Sequence, residues 1–573
     1  MQIKRKLSLL LTFIMIINTC VFADSGSQTE GGNGNGTDVV ATPSAIDIVP
    51  SGISIDMSLS NSEDIDDMLI STNYTLEENE NVDNLTLNGG TLDLNGYTLT
   101  VYGSLQQNGG TLYVNNGNLL VVGNYSIGNN NFSPSAYLKM INSNDYVYIG
   151  GAFFNNSYVS HNGCLTDGIM EIQGDFTQKT SEYWGSKDNF CATDRHKVLF
   201  SGSSVQNLSF DDPTYSYINI LESNNQAGLD CLNYVGISHI QGNNTFFDRL
   251  SISSNMTAYM GFDASSLNIN ANTFSLNGCN IHVTGDVNVT GGILDINGGS
   301  LTVDGNMNFG SENSAPSVYF KMTNSNDYVS VGGDFFTNSY LSHENYLTDG
   351  ILEIKGNFKQ LRSEYWGSKY NFYATNNHKT IFSGTNEQLI SFTDSTCSRF
   401  NMLESTNALT NCSTDIGVSH ISGTNTTFQD LKLSTNCTVV SDFAVNNIIV
   451  DNGVLDLNAC TVQVSQNANV NNGTLYINNG KFLVTGNLSI SSESSSTNTY
   501  LKMTAPNDYV RVDGSFFTNS YLSHDGYLTN GTLEIKGDFT QKTSEYWGSK
   551  YNFYATDNHK TLFSGTGEQV INY

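Results

Sequence analysis

Short apolar alternations recur along this chain at a step of about 20 residues, the size of one coil in a solenoid. Positions 91–110 read TLDLNGYTLTVYGSLQQNGG, and TLYVNNGNLLVVGNYSI follows from Thr111. Leu92 and Leu94, then Leu99 and Val101, then Leu105 punctuate runs of three or four residues that Gly or Asn closes. A period of two buries one face of a strand. Gly and Asn reach the left-handed conformations that tight turns need. The pattern returns at positions 273–292 as TFSLNGCNIHVTGDVNVTGG and at 454–473 as VLDLNACTVQVSQNANVNNG. Three short strands in every such step predict an all-β fold, a parallel β-helix or β-solenoid in which each coil pairs with the next. The alternative is a string of β-sandwiches of about 180 residues each, but sandwich strands are usually longer and lack so strict a step.

A longer period lies over the first. The heptapeptide SEYWGSK occurs at positions 181–187, 363–369 and 544–550, so its step is nearly constant. The chain is therefore read as three tandem units, at 64–245, 246–426 and, incomplete, 427–573. Strands stay readable late in each unit, as in DYVSVGGDF (327–335), ILEIKGNF (351–358) and KTIFSGT (379–385), but their spacing is less regular. Coils with longer loops are expected there. At about 20 residues per coil, equivalent positions would lie about nine coils apart.

The ends and the charge narrow the class. Lys4, Arg5 and Lys6 precede an apolar stretch from Leu7 to Phe22, and Ala23 offers a small residue for cleavage. Residues 1–23 thus have the form of a signal peptide. Residues 24–63, rich in Ser, Gly, Asn, Asp and Thr, read as a flexible leader. A secreted or cell-surface protein is expected, with no transmembrane span in the mature chain. Removing the signal takes the formal charge from −30 to −33, because it holds three basic residues and no acid. Such an acidic chain argues against nucleic acid as a partner, since phosphate binding needs clustered Lys and Arg. No Asp-x-Asp-x-Asp-Gly loop supports a calcium site.

Nine cysteines include Cys20 in the signal. Cys231 aligns with Cys412, and Cys279 with Cys460. Cys164 corresponds to Tyr346 and Tyr527, Cys191 to Tyr373 and Tyr554, Cys397 to Tyr215, and Cys437 to Met256. Positions that accept Cys, Tyr or Met read as apolar packing sites rather than disulfide or metal positions. With no CxxC pair, neither a metal nor a cofactor is expected.

The segment NDYV-x-V-x-G-x-FF-x-NSYLSH-x-x-YLT-x-G-x-LEIKG-(D/N)F, then YNFYAT-x-NHKT-x-FSGT-x-EQ-x-I, stands at positions 326–358 and 370–390 and again at 507–539 and 551–571. A diverged form lies at 144–176. It resembles a repeat of large secreted bacterial surface proteins, the repeat-rich β-helical exoproteins and adhesins. The resemblance implies a right-handed parallel β-helix. It implies no defined enzyme activity and brings no catalytic residues.

The richest side-chain cluster surrounds the heptapeptide. Tyr183, Trp184, Tyr365, Trp366, Tyr546 and Trp547 make a candidate glycan-binding platform, because exposed aromatic faces stack on sugar rings. The reading preferred from sequence is instead a loop pinned to the stack by a buried Trp, because a large excursion from a thin rod needs an apolar anchor. Eight of nine histidines fall at repeated positions, with His282 the exception, and are read as hydrogen-bonded structural groups. The repeated acids are Asp145/Asp327/Asp508, Glu171/Glu353/Glu534 and Glu182/Glu364/Glu545. Recurrence at equal spacing describes a ladder or surface position better than one catalytic cleft. The leading expectation is a non-catalytic surface scaffold or adhesin, with glycans or a host or cell-wall surface as partner. The alternative is a carbohydrate-active β-helix enzyme, a polysaccharide lyase or glycoside hydrolase, whose paired carboxylates would converge on one face.

Overall fold

The computed structural model describes residues 65–180, 186–242, 245–362, 368–491, 497–543 and 549–573. The signal and leader segments lie outside the described residues. Within those limits all regular structure is β, most strands have three or four residues, and every strand pairing is parallel. No helix among them is long and apolar enough to cross a membrane.

The chain winds round three faces. Leu85–Leu87 lies on the first, Thr91–Asp93 on the second and Thr98–Val101 on the third. Leu105–Gln107 then returns to the first face and pairs residue for residue with Leu85–Leu87. The alternating residues Leu85, Leu87, Leu92, Leu94, Leu99 and Val101 all point inward and are fully buried. The predicted alternation is thus the inner wall of one coil. The corner between the second and third faces needs two consecutive left-handed residues. Asn95 and Gly96 supply them with φ of 50° and 84°, and Asn277 and Gly278 repeat them. Unit 3 places Asn458 and Ala459 there, and Ala459 holds φ 65° despite its side chain.

Inside the stack one apolar core runs through both repeat junctions. Aromatic rings repeat from coil to coil, with Phe335 and Phe358 5.6 Å apart and nearly parallel, and Phe358 and Phe392 5.1 Å apart. Late in each unit the second strand of the coil shrinks to single bridges, Met140 to Leu165 and Leu165 to Ala192, because long loops leave the stack there.

The regular step holds only locally. On the third face Thr98 pairs with Asn118, and the ladder continues through Tyr146, Ile169, Lys197, Ile220, His239, Thr257 and Ser275. The steps from His239 to Thr257 and from Thr257 to Ser275 are the shortest, and those from Asn118 to Tyr146 and from Ile169 to Lys197 are the longest. These are eight coil steps. The repeat equivalent of Thr98 is Asn280, however, and it lies one corner beyond Ser275. Its strand, Asn280–Val283, stacks on Phe262–Ala264 of the first face. Unit 2 repeats the rule: eight steps lead from Asn280 to Asp456, and the next equivalent, Thr461, again lies one corner further on. Each unit therefore occupies eight and a third coils rather than about nine. Equivalent residues of successive units stand on successive faces. The junction is carried by long strands that round the corners, Phe246–Ile252 and Phe262–Ser275.

Candidate functional site at the loop bases

Each heptapeptide falls, in sequence, between a strand on one face and a single bridged residue on the next. These are Phe176–Gln178 and Ala192 in unit 1, Phe358–Gln360 and Ala374 in unit 2, and Phe539–Gln541 and Ala555 in unit 3. Tyr183, Trp184, Tyr365, Trp366, Tyr546 and Trp547 lie outside the described residues, as do Glu182, Glu364 and Glu545. The base of each loop is described in full.

A buried asparagine closes that base. Asn189 Nδ2 donates to the carbonyls of Lys179 (2.7 Å) and Ser157 (2.9 Å), and its Oδ1 accepts from Gln178 Nε2 at 2.8 Å. Asn371 joins Leu361, Ser339 and Gln360 in the same way. Asn552 donates to the Lys542 carbonyl at 2.5 Å and accepts from Gln541 at 2.7 Å. Placing the entry and exit strands of the loop on one buried amide fixes both ends at once, and a fully paired buried amide is strongly position-specific. The next residue is a core phenylalanine: the Phe190 ring lies 4.9 Å from Phe176, and Phe372 lies 4.9 Å from Phe358. The sequence analysis weighed Trp as the anchor. The Asn-Phe pair in DNF and YNF was the signal it did not use.

Exposed tyrosines border these bases. Tyr158, Tyr340 and Tyr521 occupy equivalent positions and are 42%, 45% and 41% exposed. Two serines of the heptapeptide rest directly on them: Ser186 N donates to the Tyr158 carbonyl at 3.0 Å, and Ser549 N to that of Tyr521 at 3.2 Å. Tyr370 and Tyr551 are also exposed. Nearby, Tyr319 stacks on Tyr346 at 4.0 Å and Tyr500 on Tyr527 at 4.1 Å. The Arg399 guanidinium lies 4.4 Å from the centre of the Tyr373 ring.

The described repeated acids, Asp145/Asp327/Asp508 and Glu171/Glu353/Glu534, are engaged in structural hydrogen bonds. Asp327 is buried and accepts from the backbone N–H groups of Gly298 (2.5 Å), Thr323 (2.7 Å) and Asn324 (2.9 Å). Asp145 and Asp508 do the same in their units, so each carboxylate ties one coil to the next. A glycine passes close by. Gly350 has φ +80°, and a Cβ on it would fall 2.6 Å from the Asp327 carbonyl oxygen. Glu171 accepts from Tyr146 at 2.8 Å and Ser201 at 2.6 Å, and Glu353 and Glu534 hold the equivalent Tyr and Ser.

The histidines divide into classes. His161, His343 and His524 accept from the backbone N–H of Leu138, Phe320 and Leu501 through Nε2, at 3.1, 3.0 and 3.0 Å. That bond requires a neutral ring with its proton on Nδ1. Burial lowers the pKa of each to about 4. His196 and His378 are buried against Phe190 and Phe372 and are likewise pushed down to about 4 by burial. His282 is exposed, 3.0 Å from Asp304. No group of three or more His, Cys, Asp or Glu that could hold a metal exists among the described residues.

One shallow cleft of about 720 Å³ lies on the outer side of unit 2. Asn288, Asn308, Phe336 and Lys359 form its floor, and the loop bearing Glu312 overhangs it through an ion pair with Lys359. Asn288 and Asn308 continue an amide ladder from Asn268. Phe154 and Phe517 repeat Phe336, but Thr177 and Thr540 stand where Lys359 would be, so this lining belongs to one unit.

Fold and site together define an all-β parallel solenoid with buried loop anchors repeated once per unit. No protein-family model matches the chain, no curated protein is similar to it, and no solved structure matches it.

Proposed function

We propose that this is a secreted or cell-surface repeat protein, a non-catalytic scaffold of the adhesin-like bacterial kind, that binds glycans through the loop aromatics. The observation that carries the reading is the closed loop base. Asn189, Asn371 and Asn552 with Phe190, Phe372 and Phe553 hold the loops, so Trp184, Trp366 and Trp547 are not needed as anchors. Tyr158, Tyr340 and Tyr521 add exposed aromatic rings at the loop bases. Flat apolar rings with polar edges suit the faces of sugar rings. The two described sets of repeated acids, those of Asp327 and Glu353, support the non-catalytic reading, because their oxygens are engaged in holding coils together.

The one-face advance shapes the mode of binding. Successive loops leave from the first, second and third faces, so one flat surface meets at most part of the set. The arrangement suits a chain embedded among polymer strands, which it would bridge by weak contacts whose strength comes from number.

Glycan-array binding by the full chain tests this. A single Trp366→Ala variant is expected to keep most binding, and Trp184→Ala/Trp366→Ala/Trp547→Ala together are expected to abolish it with the far-ultraviolet circular dichroism unchanged. Equal binding by the triple variant and wild type, or no binding by wild type, would sink the proposal. Release of reducing or unsaturated sugar ends from polysaccharides would instead favour the enzyme reading.

A further inference from the structure

Two of the eight described cysteines, Cys164 and Cys191, each precede a residue of one bridge between successive coils of unit 1. Leu165 and Ala192 pair across successive coils, and both are fully buried, so both point inward. Cys164 and Cys191 each come just before a residue of this bridge, so the register of the bridge brings them next to one another; Cys164 is half-buried, and Cys191 is buried and also bridges Tyr217. Laterally paired residues in a parallel sheet have Cα atoms about 4.8 Å apart, which falls inside the range of about 4.4–6.8 Å that a disulfide spans. In this structure both thiols are free.

The repeat supplies an independent observation. Unit 2 has Tyr346 and Tyr373 at these two positions, and unit 3 has Tyr527 and Tyr554. Both neighbours are cysteine in one unit and neither is cysteine in the other two. If each merely filled an apolar site, the two substitutions would be independent. A long stretch of chain that includes the first heptapeptide separates the two in sequence.

We propose that Cys164 and Cys191 form a disulfide that cross-links successive coils of unit 1. Its chemistry is thiol–disulfide exchange with a small disulfide carrier. The Cys164 thiolate attacks the carrier RSSR, forming a mixed disulfide and releasing one thiolate. The Cys191 thiolate then attacks the protein sulfur of that mixed disulfide and releases the second. Two protein thiols and one RSSR give one protein disulfide and two RSH. Burial pushes both thiols up from their usual range, so the reaction runs faster in mild alkali. The bond joins two points that flank residues 181–187, so it clamps the first heptapeptide loop at its base. The loops of units 2 and 3 carry tyrosines instead, which makes unit 1 the covalently locked copy.

Trypsin makes the test direct. Cleavage after Lys139, Lys179, Lys187 and Arg195 places Cys164 in the peptide 140–179 and Cys191 in the peptide 188–195. The folded full chain is incubated with oxidised glutathione at mildly alkaline pH, thiols are blocked with a maleimide, and the digest is read by mass spectrometry without reduction. The expected result is a linked 140–179/188–195 pair, lighter by two hydrogens than its parts, lost on reduction and absent from Cys164→Ser. Glutathione adducts on each cysteine without the linked pair, linkage of either to a different cysteine, or no reaction at either would overturn the proposal.

Discussion

At the scale of single residues, the corner between the second and third faces tests how far the fold dictates its sequence. Gly96 and Gly278 take the left-handed conformation there without strain, while Ala459 takes it at φ 65° with a Cβ. Holding an L side chain in that well costs about 1–2 kcal/mol, and part of the relief on substitution is offset by the extra freedom glycine has when unfolded. Ala459→Gly is expected to stabilise the chain by about 1 kcal/mol, read as a higher urea midpoint at unchanged slope. A lowered midpoint would mean that the side chain contributes packing that outweighs its strain. Residue-level chemistry was only partly legible beforehand. Asn-Gly signalled the turn because few residues reach those angles. The recurring Asn-Phe pair marks Asn189 as repeated but not as buried, because a buried amide and an exposed loop amide look alike until the partner carbonyls of Lys179 and Ser157 are known.

At the scale of elements, the coils carry neutral histidines in places where charge is costly. His161, His343, His524, His196 and His378 have pKa values near 4 in the folded chain because burial disfavours the charged ring. Asp167 and Asp349 pull His196 and His378 upward without overcoming that burial. The same rings protonate near pH 6.5 when unfolded. Above pH 6.5 both states are neutral and stability is complete. As the pH falls from 6.5 to 4 the unfolded chain takes up protons that the folded chain refuses, so stability is lost across that window. Below about 4 the loss is complete. The gap corresponds to roughly 3 kcal/mol per ring. The urea midpoint should therefore drop steeply between neutral pH and pH 4.5, and His343→Gln, which can still accept from Phe320 N, should flatten the profile by one ring's share. A midpoint that does not move across that window would show that the rings are accessible to protons. The sequence reading of these histidines as structural rested on their recurrence. The hydrogen bonds expected of them are found for His161, His343 and His524, whose loops fold back onto the preceding coil. They are not found for His196 and His378, whose ring nitrogens are buried against Phe190 and Phe372 without a partner among the described residues.

For the whole molecule, the parallel solenoid was legible because so short and regular an apolar period has few other physical explanations. The number of coils per unit was not. It depends on the short steps after His239 and on loops that stretch other steps, such as Asn118 to Tyr146, and these do not sum to a whole number of turns. The consequence is a repeat that advances one face per unit, and it governs how the loops are presented. Cross-linking across the first junction tests this most directly. Thr257 stacks beside Ser275 on the third face, and Asn280 lies round the corner on the first. All three positions lie in the tryptic peptide 250–321. In a Cys279→Ser background, Thr257→Cys/Ser275→Cys should give that peptide lighter by two hydrogens and unlabelled by maleimide after mild oxidation, and Thr257→Cys/Asn280→Cys should give it carrying two maleimides. If the second pair links and the first does not, equivalent strands share one face, the units stack on whole coils, and the one-face advance is wrong.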